Sequence, residues 1–415
     1  MPQPATVSSQ AENRVQGIDI LRGLCIIAVV LHHTNLRVRF HLSAFGKLLG
    51  PSADRVLFWN GYYGVIVFFV ISGFLITTWS LKRWGSLRHI DRRQFYLMRF
   101  ARIIPCLAGL LAILALLDRA GVPRFVINTQ HTSLGRALLA ALTFHINWLE
   151  AHTGYLPASW DVLWSLSVEE VFYVFFPLLC TLLRKQLLIA GAFCCFVIIG
   201  PFARTHAFND LWADYGYLSG MDGIALGCLA AILTARIRLS GKATVALRLC
   251  GSALCLLITV FRAAAARLAF YKAGLDVTIL ELGAAMLLIS LQQRFENSAI
   301  AGDVTRATTS ANSPNGVKSF FNSTARLLFH STAFLRWFGR NSYEVYLTHM
   351  FVLWPVVLLY LHYGISLNFL PLLFPVALAL TGLLGYLVAQ FYSEPLNRGI
   401  RKQFAAPSKR TAAAD

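Results

Sequence analysis

Stretches of roughly 17–22 mostly apolar residues recur about ten times along the 415-residue chain, each long enough to cross ~30 Å of hydrocarbon. They fall near 18–36, 61–80, 103–118, 166–183, 187–203, 216–235, 245–261, 275–291, 342–361 and 369–391. Backbone polar groups in lipid must be satisfied within the segment, so runs of this length are expected to be helices. The predicted fold is therefore all-α: a polytopic membrane protein of about ten transmembrane helices. Mean hydropathy of +0.59 and 13% charged residues agree with a bilayer as the solvent. Residues 137–149, ALLAALTFHINWL, are apolar but too short to span and are expected to be re-entrant or interfacial.

The net charge of +18 has two readings. Nucleic acid is the first, but no basic patch with interleaved aromatics stands outside the apolar runs. An excess of Lys and Arg on cytoplasmic loops gives the same total. Counting on alternate sides places 26 of the 37 basic residues with both termini and 11 on the opposite side. Both termini are thus expected in the cytoplasm, in an inner (cytoplasmic) membrane, with no nucleic-acid partner. No leader peptide is evident at the N-terminus. Eight cysteines fall nearly all in apolar runs without paired metal-type spacing, so neither a disulfide framework nor a metal site is expected.

Charged groups inside apolar runs are expensive and mark candidate sites. The first run, IDILRGLCIIAVVLHHT, carries Asp19 and Arg22 at one end and His32 and His33 at the other. Arg22 and His33 are eleven residues apart, which returns to within about 20° of the same helix face, with roughly 16 Å between them. One face then offers an anion site at its cytoplasmic end and a base at the other. Asp19 is close enough to pair with Arg22. In the second run, Gly64, Ser72 and Gly73 permit close helix approach. Arg99 and Arg102, three apart at the mouth of the third run, suit phosphates or lipid headgroups. Glu169 and Glu170 are adjacent carboxylates inside the fourth run, and neighbours point ~100° apart, so one suffices for a function. Asp222 is expected to pair with a membrane arginine. His349 is a candidate for a structural hydrogen bond or a role in the site, and Glu344 and Glu394 are expected to make structural pairs. Residues 1–16 and the Ser/Thr/Asn-rich stretch 296–325 read as disordered. A glycosylation sequon at 322–324 lies on the expected cytoplasmic side, which argues against its use.

Six motifs in order point to a family: DILRG ending in His33, GV..FFVISGFLI at 64–76, RFARIIP at 99–105, WSLSVEEVFY at 164–173, SYEVYLTH at 342–349 and SEPLNR at 393–398. With them the sequence resembles the acyltransferase-3 family of integral-membrane acyltransferases, which O-acylate sugars and related acceptors. The resemblance implies a membrane domain over 17–395, with 296–325 as an insert and 396–415 as a basic cytoplasmic tail. It implies acyl transfer from cytoplasmic acyl-CoA, by family precedent acetyl-CoA, to a hydroxyl of a glycan or glycosylated acceptor. His33 matches the essential histidine, with Arg22 its partner in the Arg-x10-His motif; it is assigned as general base, with a transient acyl-imidazole as the alternative chemistry. Arg99 and Arg102 match the paired arginines associated with the donor. Glu169 matches the WSLxxE carboxylate and is assigned to orient the histidine ring. Two positions depart from the family pattern. Ile66 stands where an acidic residue is common, and His32 where an aromatic precedes the histidine. Relatives often carry a soluble hydrolase-like domain after the last span, and this chain is expected to act without one. The rival reading is a transporter or flippase of an acyl group or glycolipid, which ten spans with buried charges also fit.

Overall fold

A computed structural model describes residues 15–261, 265–268, 270, 273–308 and 331–404. Most of residues 1–16, the second half of the 296–325 stretch with its sequon, and the tail after 404 lie outside them. Among the described residues the secondary structure is helical, and ten helical segments are long and apolar enough to cross a membrane. They match the ten expected runs in order.

The helices are α1 (Gln16–Arg37), α2 (Ala44–Phe58), α3 (Gly61–Trp84), α4 (Arg92–Arg119), α5 (Leu134–Leu142), α6 (Ile146–Thr153), α7 (Ala158–Asp161), α8 (Trp164–Leu183), α9 (Gln186–Thr205), α10 (Asp210–Tyr215), α11 (Tyr217–Arg236), α12 (Gly241–Thr259), α13 (Leu275–Thr308), α14 (Ala333–Arg340), α15 (Ser342–His362), α16 (Leu370–Val388) and α17 (Glu394–Phe404). A π-helical turn at Ala389–Ser393 links the last two. Two helices outrun their apolar segments. α4 starts eleven residues before the expected span at 103, and α13 runs on into the polar 296–325 stretch. Hydropathy marks where lipid would be, whereas helical hydrogen bonding continues into water as long as the residues permit it.

Local chemistry explains the ends. The Asp91 side chain accepts from the Gln94 N–H and starts α4, and the Ser240 hydroxyl accepts from Ala243 to start α12. α3 stops at Gly85, whose φ of 73° is the left-handed conformation that glycine tolerates best. The short apolar segment at 137–149 forms α5 and α6, broken at Phe144, which has φ of 57°. Ala137, Ala140, Ile146 and Leu149 are buried there against α4 and α8.

α3 is the central post. It packs on α1, α11 and α13, and its buried Phe69, Val70, Ile71 and Phe74 belong to the main apolar core. The contact with α11 is reciprocal and close. A Cβ on Gly73 would lie 1.9 Å from the Ile224 carbonyl oxygen, and one on Gly227 would lie 2.0 Å from that of Val70. Only glycine allows backbones so near. Gly64 does the same against α1, where its Cβ would meet the Cys25 carbonyl oxygen at 2.8 Å. Ser72, expected to serve close packing as well, instead points its hydroxyl to Tyr173 of α8. α1 is thus held between α3 on one side and α14 and α15 on the others, so the face carrying Arg22 and His33 is turned into the bundle.

Candidate active site

A cavity of about 400 Å³ opens between α1, α3, α4, α8 and α15. Its polar lining is concentrated in four arginines, Arg22, Arg99, Arg102 and Arg401, and two carboxylates, Glu169 and Glu170. Its apolar lining comes mainly from α3 and α4, including Val65, Phe68, Phe69, Leu75, Trp79 and Met98. A chamber with a cationic cluster and a long apolar wall suits a ligand with phosphates at one end and a slender arm.

Three of the four cations are engaged by neighbouring side chains. Arg22 Nη2 donates to Ser342 Oγ at the start of α15, 2.9 Å away. The Arg99 guanidinium sits 4.0 Å from the centre of the Tyr173 ring, and that of Arg102 lies 6.0 Å from the Tyr343 ring. Tyr343 in turn donates to the Ile103 carbonyl, tying α15 to α4 just before Pro105. Arg401, on α17, brings a fourth positive charge close to Arg99 and Arg102. Ser72, Arg99, Arg102 and Arg22 all lie close enough to act on the Glu169 carboxylate. Glu170 is buried on the same cavity, with Oε1 lacking a hydrogen-bond partner.

The predicted residues therefore gather in two places along α1. Arg22, Arg99, Arg102 and Glu169 share the cavity. His33 lies three helical turns further along α1, and its ring is engaged by His349 of α15. Among the described residues no hydrogen bond joins Glu169 to His33. The two places adjoin at Tyr346, which lines the cavity. Its hydroxyl makes 2.7 and 2.9 Å hydrogen bonds with Ser165 Oγ and the Val162 carbonyl. Its own carbonyl accepts from His349 Nδ1 at 2.7 Å.

The histidine geometry is close. His33 Nδ1 and His349 Nε2 are 2.8 Å apart, with ring centres 4.9 Å apart and planes 21° apart. His349 is fully buried. Arg37 Nη1 donates to the His33 carbonyl, and its guanidinium lies over Trp354. The neighbouring His32 is turned away: its Nδ1 donates to the Phe58 carbonyl and its ring packs against Gly61.

The other charged positions are structural. Asp222 pairs with a membrane arginine as expected, since Arg204 Nη1 lies 2.8 Å from Asp222 Oδ2 with both side chains buried. Asp19 meets Arg340 at 3.7 Å. Glu344 accepts from Ser393 at 2.8 Å, and Glu394 pairs with Arg398. Among the described residues no group of three or more His, Cys, Asp or Glu could hold a metal ion.

Sequence reasoning missed Tyr173, Tyr346 and Arg401. The two tyrosines carried a usable signal. Tyr173 follows Glu169 by four residues and Tyr346 precedes His349 by three, spacings that share a helix face. Arg401 had none, because its arrival at the cavity depends on the path of α17 across α4.

Comparison with known proteins adds identity to this geometry. A family described as "Acyltransferase domain" matches residues 15–390. An O-acetyltransferase OatA of Staphylococcus aureus is 24% identical over 414 residues, which cover 95% of this chain and 59% of that protein. A peptidoglycan O-acetyltransferase OatA of Listeria monocytogenes is 29% identical over 170 residues, 39% of this chain and 24% of that one. The chain thus spans only part of the length of these relatives. No solved structure matches it significantly.

Proposed function

The chain belongs to the acyltransferase family matched over residues 15–390, and from that membership we propose that it moves an acetyl group from acetyl-CoA to a hydroxyl of a sugar-containing acceptor. The observation that carries the reading is the 400 Å³ cavity with four arginines and an apolar wall, lined also by Tyr346, whose carbonyl holds His349 of the His33–His349 pair. Arg99, Arg102 and Arg401 would hold the nucleotide phosphates, with Arg22 as a helper deeper in the chamber. Glu169 would keep the guanidinium groups in place through its charge. The pantetheine arm would lie along the α3 wall and bring the thioester towards His33.

There the reaction needs a base. An imidazole titrates near neutrality and, when neutral, can accept the proton of an attacking hydroxyl. His33 takes that proton as the acceptor oxygen attacks the thioester carbonyl. The C–S bond breaks, and the proton passes on to the departing thiolate. The count of basic residues supports a donor arriving from the cytoplasm and His33 lying towards the opposite face. The acetyl group and the sugar acceptor are proposed because relatives are named O-acetyltransferase and peptidoglycan O-acetyltransferase.

Donor binding tests the cavity directly. Calorimetric titration of the purified protein in detergent with CoA is expected to show binding to the wild type. Arg99→Gln and Arg102→Gln should each weaken it by about tenfold or more, since charge-assisted contacts to phosphate are the strong ones. Wild-type affinity in both variants would remove the donor site from this cavity.

A further inference from the structure

We propose that His349 is a positioning residue that fixes which nitrogen of His33 reacts. The inference rests on the reading of His33 as the base. It follows from a chain of three groups whose roles are set by what each can donate. The Tyr346 carbonyl only accepts, so His349 Nδ1, 2.7 Å away, carries a proton. A neutral His349 then presents Nε2 as a lone pair. His33 Nδ1 lies 2.8 Å from that atom, so it is the donor and holds its own proton. The lone pair of a neutral His33 is thereby left on Nε2. Without His349 the ring could hold its proton on either nitrogen and rotate about its own axis.

The arrangement has the logic of an oriented base, in which a third group holds the imidazole tautomer and accepts from Nδ1. Here the third group is an imidazole anchored on backbone rather than a carboxylate. That choice has a physical reason inside a membrane helix bundle. A carboxylate would place a net charge beside the base in a low-dielectric site, at a cost unless it is paired. A neutral ring adds none. When the acceptor O–H breaks and its proton forms a bond to Nε2, the Nδ1–H of the resulting imidazolium still points at the His349 lone pair. The ring is therefore held through the step, and Nε2 later releases the proton to the thiolate.

The bland explanation is that two buried rings merely satisfy each other's polar atoms. The two accounts separate in kcat. His349→Gln keeps an acceptor oxygen at about the reach of Nε2, whereas His349→Leu fills the space without one. In the purified full chain, with acetyl-CoA and a peptidoglycan-derived glycan as probes, His349→Leu is expected to lower kcat about 100-fold or more. The KM for acetyl-CoA should stay within about threefold, because the arginine cluster is untouched. His349→Gln should recover kcat to within about tenfold of wild type. Equal loss in both variants with elution and CoA affinity retained, or wild-type kcat in His349→Leu, would overturn the proposal. If His349→Leu does not fold, His349→Asn, too short to reach Nδ1, takes its place against His349→Gln with the same expectation. His33→Ala in the same assay distinguishes the premise. If it is inactive while His349→Leu behaves as wild type, only the positioning role fails. If it too behaves as wild type, or if the wild type itself does not turn over, the reading of His33 fails, and His349 with it.

Discussion

Replacing His33 with alanine is expected to lower the rate of acetyl transfer by about 10²–10⁴-fold, the range in which a positioned general base contributes. CoA should still bind with near wild-type affinity, because the arginines proposed to hold its phosphates lie about three helical turns away along α1 and on other helices. The assay is release of free CoA under single-turnover conditions, paired with titration of CoA into the same preparation. His32 is the internal control. Its Nδ1 is committed to the Phe58 carbonyl and its ring to Gly61, so His32→Phe should keep most of the activity. Loss in His32→Phe with full activity in His33→Ala would move the chemistry to the other imidazole.

Arg204→Leu is expected to be the most destabilising single change outside the site. The Arg204 guanidinium lies 2.8 Å from Asp222 and donates as well to the Gly274 carbonyl and the Thr278 hydroxyl. Glu281, fully buried, also faces this group. Removing that guanidinium leaves the Asp222 and Glu281 carboxyl groups buried without it, and breaking a buried pair from one side costs about 3–5 kcal/mol. The measurement is the thermal melting temperature in detergent. A large fall is expected for Arg204→Leu, and partial recovery when Asp222→Leu is added. A melting curve unchanged by Arg204→Leu would show that the pair is solvated.

The fold was largely legible in the sequence because the bilayer reduces the problem to length and hydropathy. The order and number of spans followed from that alone. What hydropathy cannot show is where a helix continues beyond lipid, and α4 and α13 both do. The Arg22 and His33 face was legible from one helical period. Arg99 with Arg102 was legible as a pair three residues apart. Their meeting with Arg22 and Glu169 was not, because it depends on helices that are neighbours only after packing through contacts such as Gly73 on Ile224. The partner of the His33 ring shows the same limit. Glu169 was the nearest candidate by motif. The structure hydrogen-bonds that ring to His349, which is 316 residues away in sequence and one α15 turn beyond the cavity residue Tyr346. Adjacency within a helix can be computed from spacing. Adjacency between helices requires knowing which small residues let which backbones touch.

Transfer of an acetyl group from CoA to a sugar hydroxyl is the activity proposed for this chain. Purified protein in detergent, supplied with acetyl-labelled acetyl-CoA and a pool of peptidoglycan-derived glycans, tests it most directly. Acceptor-dependent release of free CoA is expected, with label recovered on the glycan as an alkali-labile ester, and both are expected to be lost in His33→Ala. Label that never leaves CoA in detergent, with acetyl or glycolipid movement appearing only across sealed vesicles, would contradict it and identify a transporter.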